Sequence, residues 1–345
     1  MFNLAVAHSN APVVTVYPFN NGVKYSDPHP PPLGNGKAIA FDSIGNIAIG
    51  HDSYPHFSVY KWDGGFSTPI DSTGFFIAPP VNDIDFLRYT PSGNIVAMAF
   101  SSLPFYFIFR WNTQTGAITK FANNAVALPG IANSLKLSRF YSFLAIAHAV
   151  TPFITVFPLS YSDIALPLIS AKVTNPGTLP TGTGNGVDWN PDDTDLAVAH
   201  TSSPYITVYK DFSTAGTKYA NPATLPTGDG MGVHFSPDGT ALAVAHTTTP
   251  FISVYPWNSG VGFGTKYANP ATLPTGNAKR VAFSPDSKMI AIAHDSSPYV
   301  SVYPWSAGFG AKYADPETLP TGNGKDVAWS PINYELPIAN TSFTI

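Results

Sequence analysis

Large apolar residues fall at every second position in short runs along this chain, as in 241–246 (ALAVAH) and 251–255 (FISVY). Alternation with period two is the pattern of a β-strand, whose successive side chains point to opposite faces. The runs are rich in β-branched and aromatic residues, which suit strands. Between them, SPDG (236–239) carries turn formers in their usual order, and the proline of TTTP (247–250) bars a helix. No long stripe of helical period occurs, so the chain reads as all-β.

The runs recur. GTKYANPATLPTG stands at 216–228 and, letter for letter, at 264–276, with looser copies at 171–182 (AKVTNPGTLPTG), 311–322 (AKYADPETLPTG) and 23–34 (VKYSDPHPPPLG). A second motif travels with it: AVAHSNAPVVTVY from Ala5, AIGHDSYPHFSVY from Ala48, AMAFSSLPFYFIF from Ala97, AIAHAVTPFITVF from Ala145, AVAHTSSPYITVY from Ala197, AVAHTTTPFISVY from Ala243 and AIAHDSSPYVSVY from Ala291. A period of roughly 20 to 50 residues marks a solenoid, propeller or array. One unit supplies four strands: a (GVHFSP), b (TALAVAH), c (PFISVYPW) and d around TKYANP, followed by the crossing TLPTGNG. Four-stranded units closed around a channel make a β-propeller, and closure removes exposed sheet edges.

The a-strands KAIAF, DIDFLRY, LKLSRF, GVDWNP, GVHFSP, RVAFSP and DVAWSP number seven. The chain opens on a b-strand at 4–8 and ends its last clear a-strand at 326–330, so these two segments are expected to pair antiparallel and close a seven-bladed β-propeller of four-stranded blades over 1–331. Residues 332–345 have no slot in that ring. They are expected to form a C-terminal tail or docking arm with Leu336, Ile338 and Phe343 as contacts.

The units resemble WD40-like and YVTN-like propeller repeats, although the Trp-Asp ending and Gly-His pair of typical WD40 blades are absent. The tandem AVAH, SPYITVY and NPATLPTG pattern is similar to propeller repeats of structural and tail-associated proteins of tailed bacteriophages. That resemblance implies a non-enzymatic virion component, made in a host cytoplasm and partnered by other virion proteins. Two other classes stay open. A carbohydrate- or receptor-binding propeller would meet a host surface glycan. A lactonase-like propeller enzyme would need a few unique polar residues converging at the channel mouth.

Composition narrows the partners. Charged residues are 11% and the net charge is −4, with no basic stripe for nucleic acid or an anionic membrane surface. No apolar run is long enough to span a bilayer, and the start MFNLAVAHSN lacks the basic region of a signal peptide. The absence of cysteine excludes disulfides and thiolate–zinc sites. No metal or other cofactor is expected.

Six histidines, His8, His51, His148, His200, His246 and His294, share one repeat position, and Phe100 takes the seventh. Equivalent positions of a ring stand blade widths apart, too far to share a metal whose ligand bonds are about 2 Å. The expected role is structural, each imidazole bonding a backbone group that would otherwise be buried unpaired. Val13, His56, Phe105, Phe153, Tyr205, Phe251 and Tyr299 form a second ring, whose aromatics could stack on sugar rings but whose expected role is inter-blade packing. Trp257, Phe263, Trp305 and Phe309 in the c–d hairpins either fold back or serve as partner contacts, and Phe75 and Phe76, in the sector 66–133 where the repeat decays most, are further candidate partner contacts. Asp192, Asp238 and Asp286 sit in the repeated a–b turn. Asp83 and Asp85 could serve as an acid–base pair, but an ion pair with Arg88 is the expected reading, and no catalytic residue is assigned.

Overall fold

The computed structural model describes all residues except 1, 20–22, 43, 63, 71–78, 91–92, 113–117, 121–126, 141, 163–164, 170, 213 and 332–345. Seven antiparallel sheets stand around a central channel. Blade 1 joins the two ends of the chain, with strand a Gly324–Trp329, b Asn3–His8 and c Val14–Pro18. Blades 2 to 7 follow in chain order, each opening on its a-strand: Gly36–Phe41, Val81–Thr90, Ala132–Leu137, Gly184–Trp189, Gly230–Phe235 and Ala278–Phe283. Each a-strand packs beside the next, and that of blade 1 meets those of blades 7 and 2, which closes the ring.

The closing pair forms as the repeat requires. Leu4 lies opposite Trp329, Ala5 opposite Ala328, Val6 opposite Val327 and Ala7 opposite Asp326. Ser330 extends the junction, its N–H donating to Asn3 O at 2.8 Å and its hydroxyl accepting from Asn3 N–H at 2.8 Å.

Two sheets depart from the expected four strands: among the described residues, blades 1 and 7 have three. The tract around TKYANP is mostly not a ladder strand. In blades 1, 6 and 7 it touches strand c through one backbone bond, from Tyr25 N–H to Val16 O, Tyr267 to Val254 and Tyr313 to Val302, each at 2.9 Å. The proline that follows in each tract has no N–H with which to extend the pairing.

Apolar strand faces meet between neighbouring blades, so the core is divided into wedges. Between blades 6 and 7, Ala243, Val254, Phe283, Ile292 and Tyr303 are packed together and buried. A fully buried Val, Ile or Phe contributes about 1.5–3 kcal/mol. The crossing is tied to the blade beneath it. The Tyr hydroxyls of strand c donate to carbonyls of the crossing that runs over their blade: Tyr17 to Thr318, Tyr209 to Thr178, Tyr255 to Thr224 and Tyr303 to Thr272, all at 2.8 Å. The second Thr of the crossing then ties down the b–c turn, as Thr227 Oγ1 donates to Thr249 O at 2.8 Å.

Candidate functional site at the channel

At each b–c turn the residue after the proline has a positive φ, between 64° at Val13 and 71° at Tyr299, a region costly for residues with a Cβ. That backbone lets its N–H close the turn, as Phe251 N–H does on Thr248 O at 2.7 Å. Beneath it lie the ring histidines, all fully buried. Their Nε2 atoms meet a hydroxyl seven residues on in strand c: His8 with Thr15 at 2.8 Å, His51 with Ser58 at 3.0 Å, His148 with Thr155 and His200 with Thr207 at 2.9 Å, His246 with Ser253 at 3.1 Å and His294 with Ser301 at 3.0 Å. The expected backbone partner is met only by Nδ1, at Ser9 O, Ser53 O and Thr201 O. Burial holds His51, His148, His246 and His294 down at about 4 and lowers His8 and His200.

The hairpin aromatics, which could either fold back or meet a partner, fold back. Trp257 and Trp305 are each 5% exposed. The Trp257 indole packs edge-on against Tyr219, Phe235 and Phe263 and donates to Asp195 at 3.1 Å. Trp305 packs likewise on Tyr267 and Phe309, leaving Phe263 and Phe309 half-buried. Phe75, Phe76, Leu336, Ile338 and Phe343 lie outside the described residues.

The channel holds the unanticipated cluster. Asp85, Lys136, Asp188 and His234 occupy one register position on the a-strands of four successive blades, opposite Ala97, Ala145, Ala197 and Ala243 of strand b. The other three blades place Ala282, Ala328 and Ala40 there. One tier nearer the strand starts stand Asp83, Arg280 and Asp326. These residues line a cavity of about 370 Å3, and Asp85, Lys136, Asp188 and His234 also border a second of about 260 Å3 toward the a–b turns.

The innermost strands leave edge N–H groups facing the channel, and the acidic side chains cap them across blade boundaries. Asp83 accepts from Leu135 N–H at 3.0 Å, Asp85 from Leu137 at 2.8 Å, Asp188 from Phe235 at 2.8 Å and Asp326 from Ile39 at 2.9 Å. His234 Nδ1 accepts from Phe283 N–H at 3.4 Å, which leaves the ring proton of the neutral imidazole on Nε2. Lys136 Nζ donates to Asp85 at 3.0 Å. The expected partner Arg88 has a side chain outside what the structure describes; Asp85 is paired with Lys136. Arg280 reaches across the channel, donating to Met231 O at 2.6 Å and to Asn133 O at 3.3 Å.

Burial raises the carboxyl of Asp188 to about 6 despite the nearby Lys136 charge, and it raises Asp85 and Asp326 as well, Asp83 adding to the effect on Asp326. Burial opposes the charge of Lys136, yet Asp85 and Asp188 outweigh it and hold the ammonium above its ordinary value. Burial, with Lys136 second, lowers His234 to about 3, so its imidazole is neutral near pH 7. A proton acceptor, a fixed cation and a neutral N–H donor therefore line one cavity. Lys136, Asp188, His234, Arg280 and Asp326 carry no motif, and only a column of aligned a-strands shows them.

No protein-family model matches the chain, and no curated protein does. Solved β-propellers match it in fold. A provisionally named 6-phosphogluconolactonase from Bacteroides fragilis has a TM-score of 0.66 at 10% identity, over 95% of this chain and 97% of its own. Another from Bacteroides uniformis gives 0.69 at 13% identity, over 95% and 99%. The β-propeller domain of Cps50 (Swd1) from Myceliophteria thermophila gives 0.53 at 12% identity, over 82% and 88%. Likeness at such identity establishes the seven-bladed propeller class. It also corrects the expectation that the chain is not an enzyme, because structures of this architecture bear provisional lactonase names.

Proposed function

We propose that the protein is a propeller hydrolase that opens small cyclic esters in its central channel. The observation that carries this reading is the tier of Asp85, Lys136, Asp188 and His234, unique side chains at a position where the remaining blades have alanine. Packing alone is satisfied by alanine there.

In this reading Asp188, largely ionised at pH 7 with a pKa near 6, takes a proton from water as the oxygen attacks the lactone carbonyl. The Lys136 ammonium and His234 Nε2–H stabilise the negative charge that develops on the carbonyl oxygen. The ring C–O bond then breaks, and the proton held by Asp188 passes to the departing alkoxide, leaving a hydroxy acid. The test is hydrolysis of 6-phosphogluconolactone and of unphosphorylated gluconolactone by the purified chain, measured above the spontaneous rate. Turnover of either supports the reading, and a folded protein without turnover of both contradicts it.

The virion role rests on the repeat resemblance alone, and nothing in the comparisons links the chain to a bacteriophage. Its partners and location would follow from finding the chain in purified particles.

A further inference from the structure

The second residue of every a-strand is set apart from the strand alternation. The pairing of strands a and b slips by one residue at this point in all seven blades, leaving Lys37, Asn82, Asn133, Asn185, Met231, Lys279 and Lys325 as bulged residues. A β-bulge re-aims a side chain and is common at rims and sites. All seven are half-buried, while the residue before each is buried, so they form the channel rim at the strand-start end.

The rim is chemically divided. On blades 3 to 5 the bulged asparagines spend their amides on the next blade, Asn82 donating to Ala132 O, Asn133 to Gly184 O and Asn185 to Gly230 O, each at 2.9 Å. On the contiguous blades 7, 1 and 2 the bulged residue is lysine. Lys279 is paired with Asp295 at 3.3 Å. Asp52 stands near Lys37 and is held by Asn35 through two bonds of 2.7 Å. Blade 1 has Ser9 at the matching position, so Lys325 lacks an acid of its own. Burial lowers its pKa, with Lys279 and Lys37 adding to the effect and Asp295 opposing it, which places the three ammonium groups and one carboxylate within electrostatic reach of one another. Among the described residues neither Lys37 nor Lys325 has a hydrogen-bond partner for its Nζ. In the tier below, Asp83 and Asp326 are turned to the backbone amides of Leu135 and Ile39.

We propose that Lys37, Lys279 and Lys325 form a phosphate-binding site at this mouth of the channel, taking a dianionic phosphate group that is either free or carried on a small ester. The three ammonium groups outnumber the two carboxylates beside them, Asp52 and Asp295, so this part of the rim keeps positive charge for an anion, and lysine binds phosphate as a point charge. The site is separate from the hydrolytic tier, three residues along the strand or roughly 10 Å at ~3.3 Å per residue. It does not depend on that reading.

The experiment is isothermal titration of the full chain with inorganic phosphate and, in a second arm, with glucose 6-phosphate. Saturable one-to-one binding is expected, weakened about tenfold or more in Lys325→Met, restored in Lys325→Arg and unchanged in Lys136→Met. Tighter binding of the ester assigns the site to a phosphate monoester, and equal or weaker binding assigns it to free phosphate. No saturable heat from the folded protein, or binding lost in Lys136→Met but kept in Lys325→Met, overturns the proposal.

Discussion

Phe100 and Phe107 meet edge-to-face with ring centroids 5.4 Å apart, in the same two positions where every other blade pairs a buried histidine with a serine or threonine hydroxyl. The hydrogen bond and the aromatic pair are alternative fillings of one slot. Such a slot tolerates replacement of both partners but not of one, because a single change leaves a polar group buried and unpaired. Ser253→Ala should lower stability by ~1–3 kcal/mol, and the double change His246→Phe with Ser253→Phe should recover much of that loss. Denaturant melts of the single and double variants check this. A double variant worse than the sum of its parts would show that the pair is not exchangeable.

The ring histidines should stay neutral through physiological pH. Their folded values lie near 4 for His51, His148, His246 and His294, against 6.5 for a free side chain. Between those values the unfolded chain binds protons that the folded one refuses, so this contribution to stability is lost as pH falls through about 6.5 toward 4. Asp188, raised to about 6, acts in the opposite sense over an overlapping window, since there the folded state binds the proton. Imidazole resonances followed by NMR separate the two effects, and His51, His148, His246 and His294 should titrate near pH 4.

Tyr255→Phe should cost ~0.5–1.5 kcal/mol through loss of its bond to Thr224 O. Phe157 already stands at that place in blade 4, so the ring itself fits and only the bond should be lost. An unchanged melting temperature would show that the crossing is held by its other contacts.

The fold was legible because its causes repeat. Strand alternation, the turn SPDG and the pairing of 4–8 with 326–330 each follow from local chemistry copied around the ring. Strand d was less visible: among the described residues it is missing from blades 1 and 7, and the same letters TKYANP pair with strand c in blade 5 yet meet it through one backbone bond in blade 6. Trp257 and Trp305 left two readings open, because their hairpins are glycine-rich and only the neighbouring blade's Tyr219 or Tyr267 shows what the indole packs against. The channel site was hidden by the opposite property. Each blade gives it one residue, so Lys136, Asp188 and His234 are more than forty residues apart in sequence, and they stand where the repeat is broken rather than kept.

The central claim is that the channel tier performs hydrolysis with Asp188 as the proton acceptor. Its most direct measurement is the pH dependence of kcat/KM for lactone opening in the wild type, Asp188→Asn and Lys136→Met. The account predicts wild-type activity that rises with pH through about 6, a loss of about a hundredfold or more in Asp188→Asn with that inflection gone, and a comparable loss in Lys136→Met without loss of folding. Activity that survives both substitutions with its pH profile intact would contradict it.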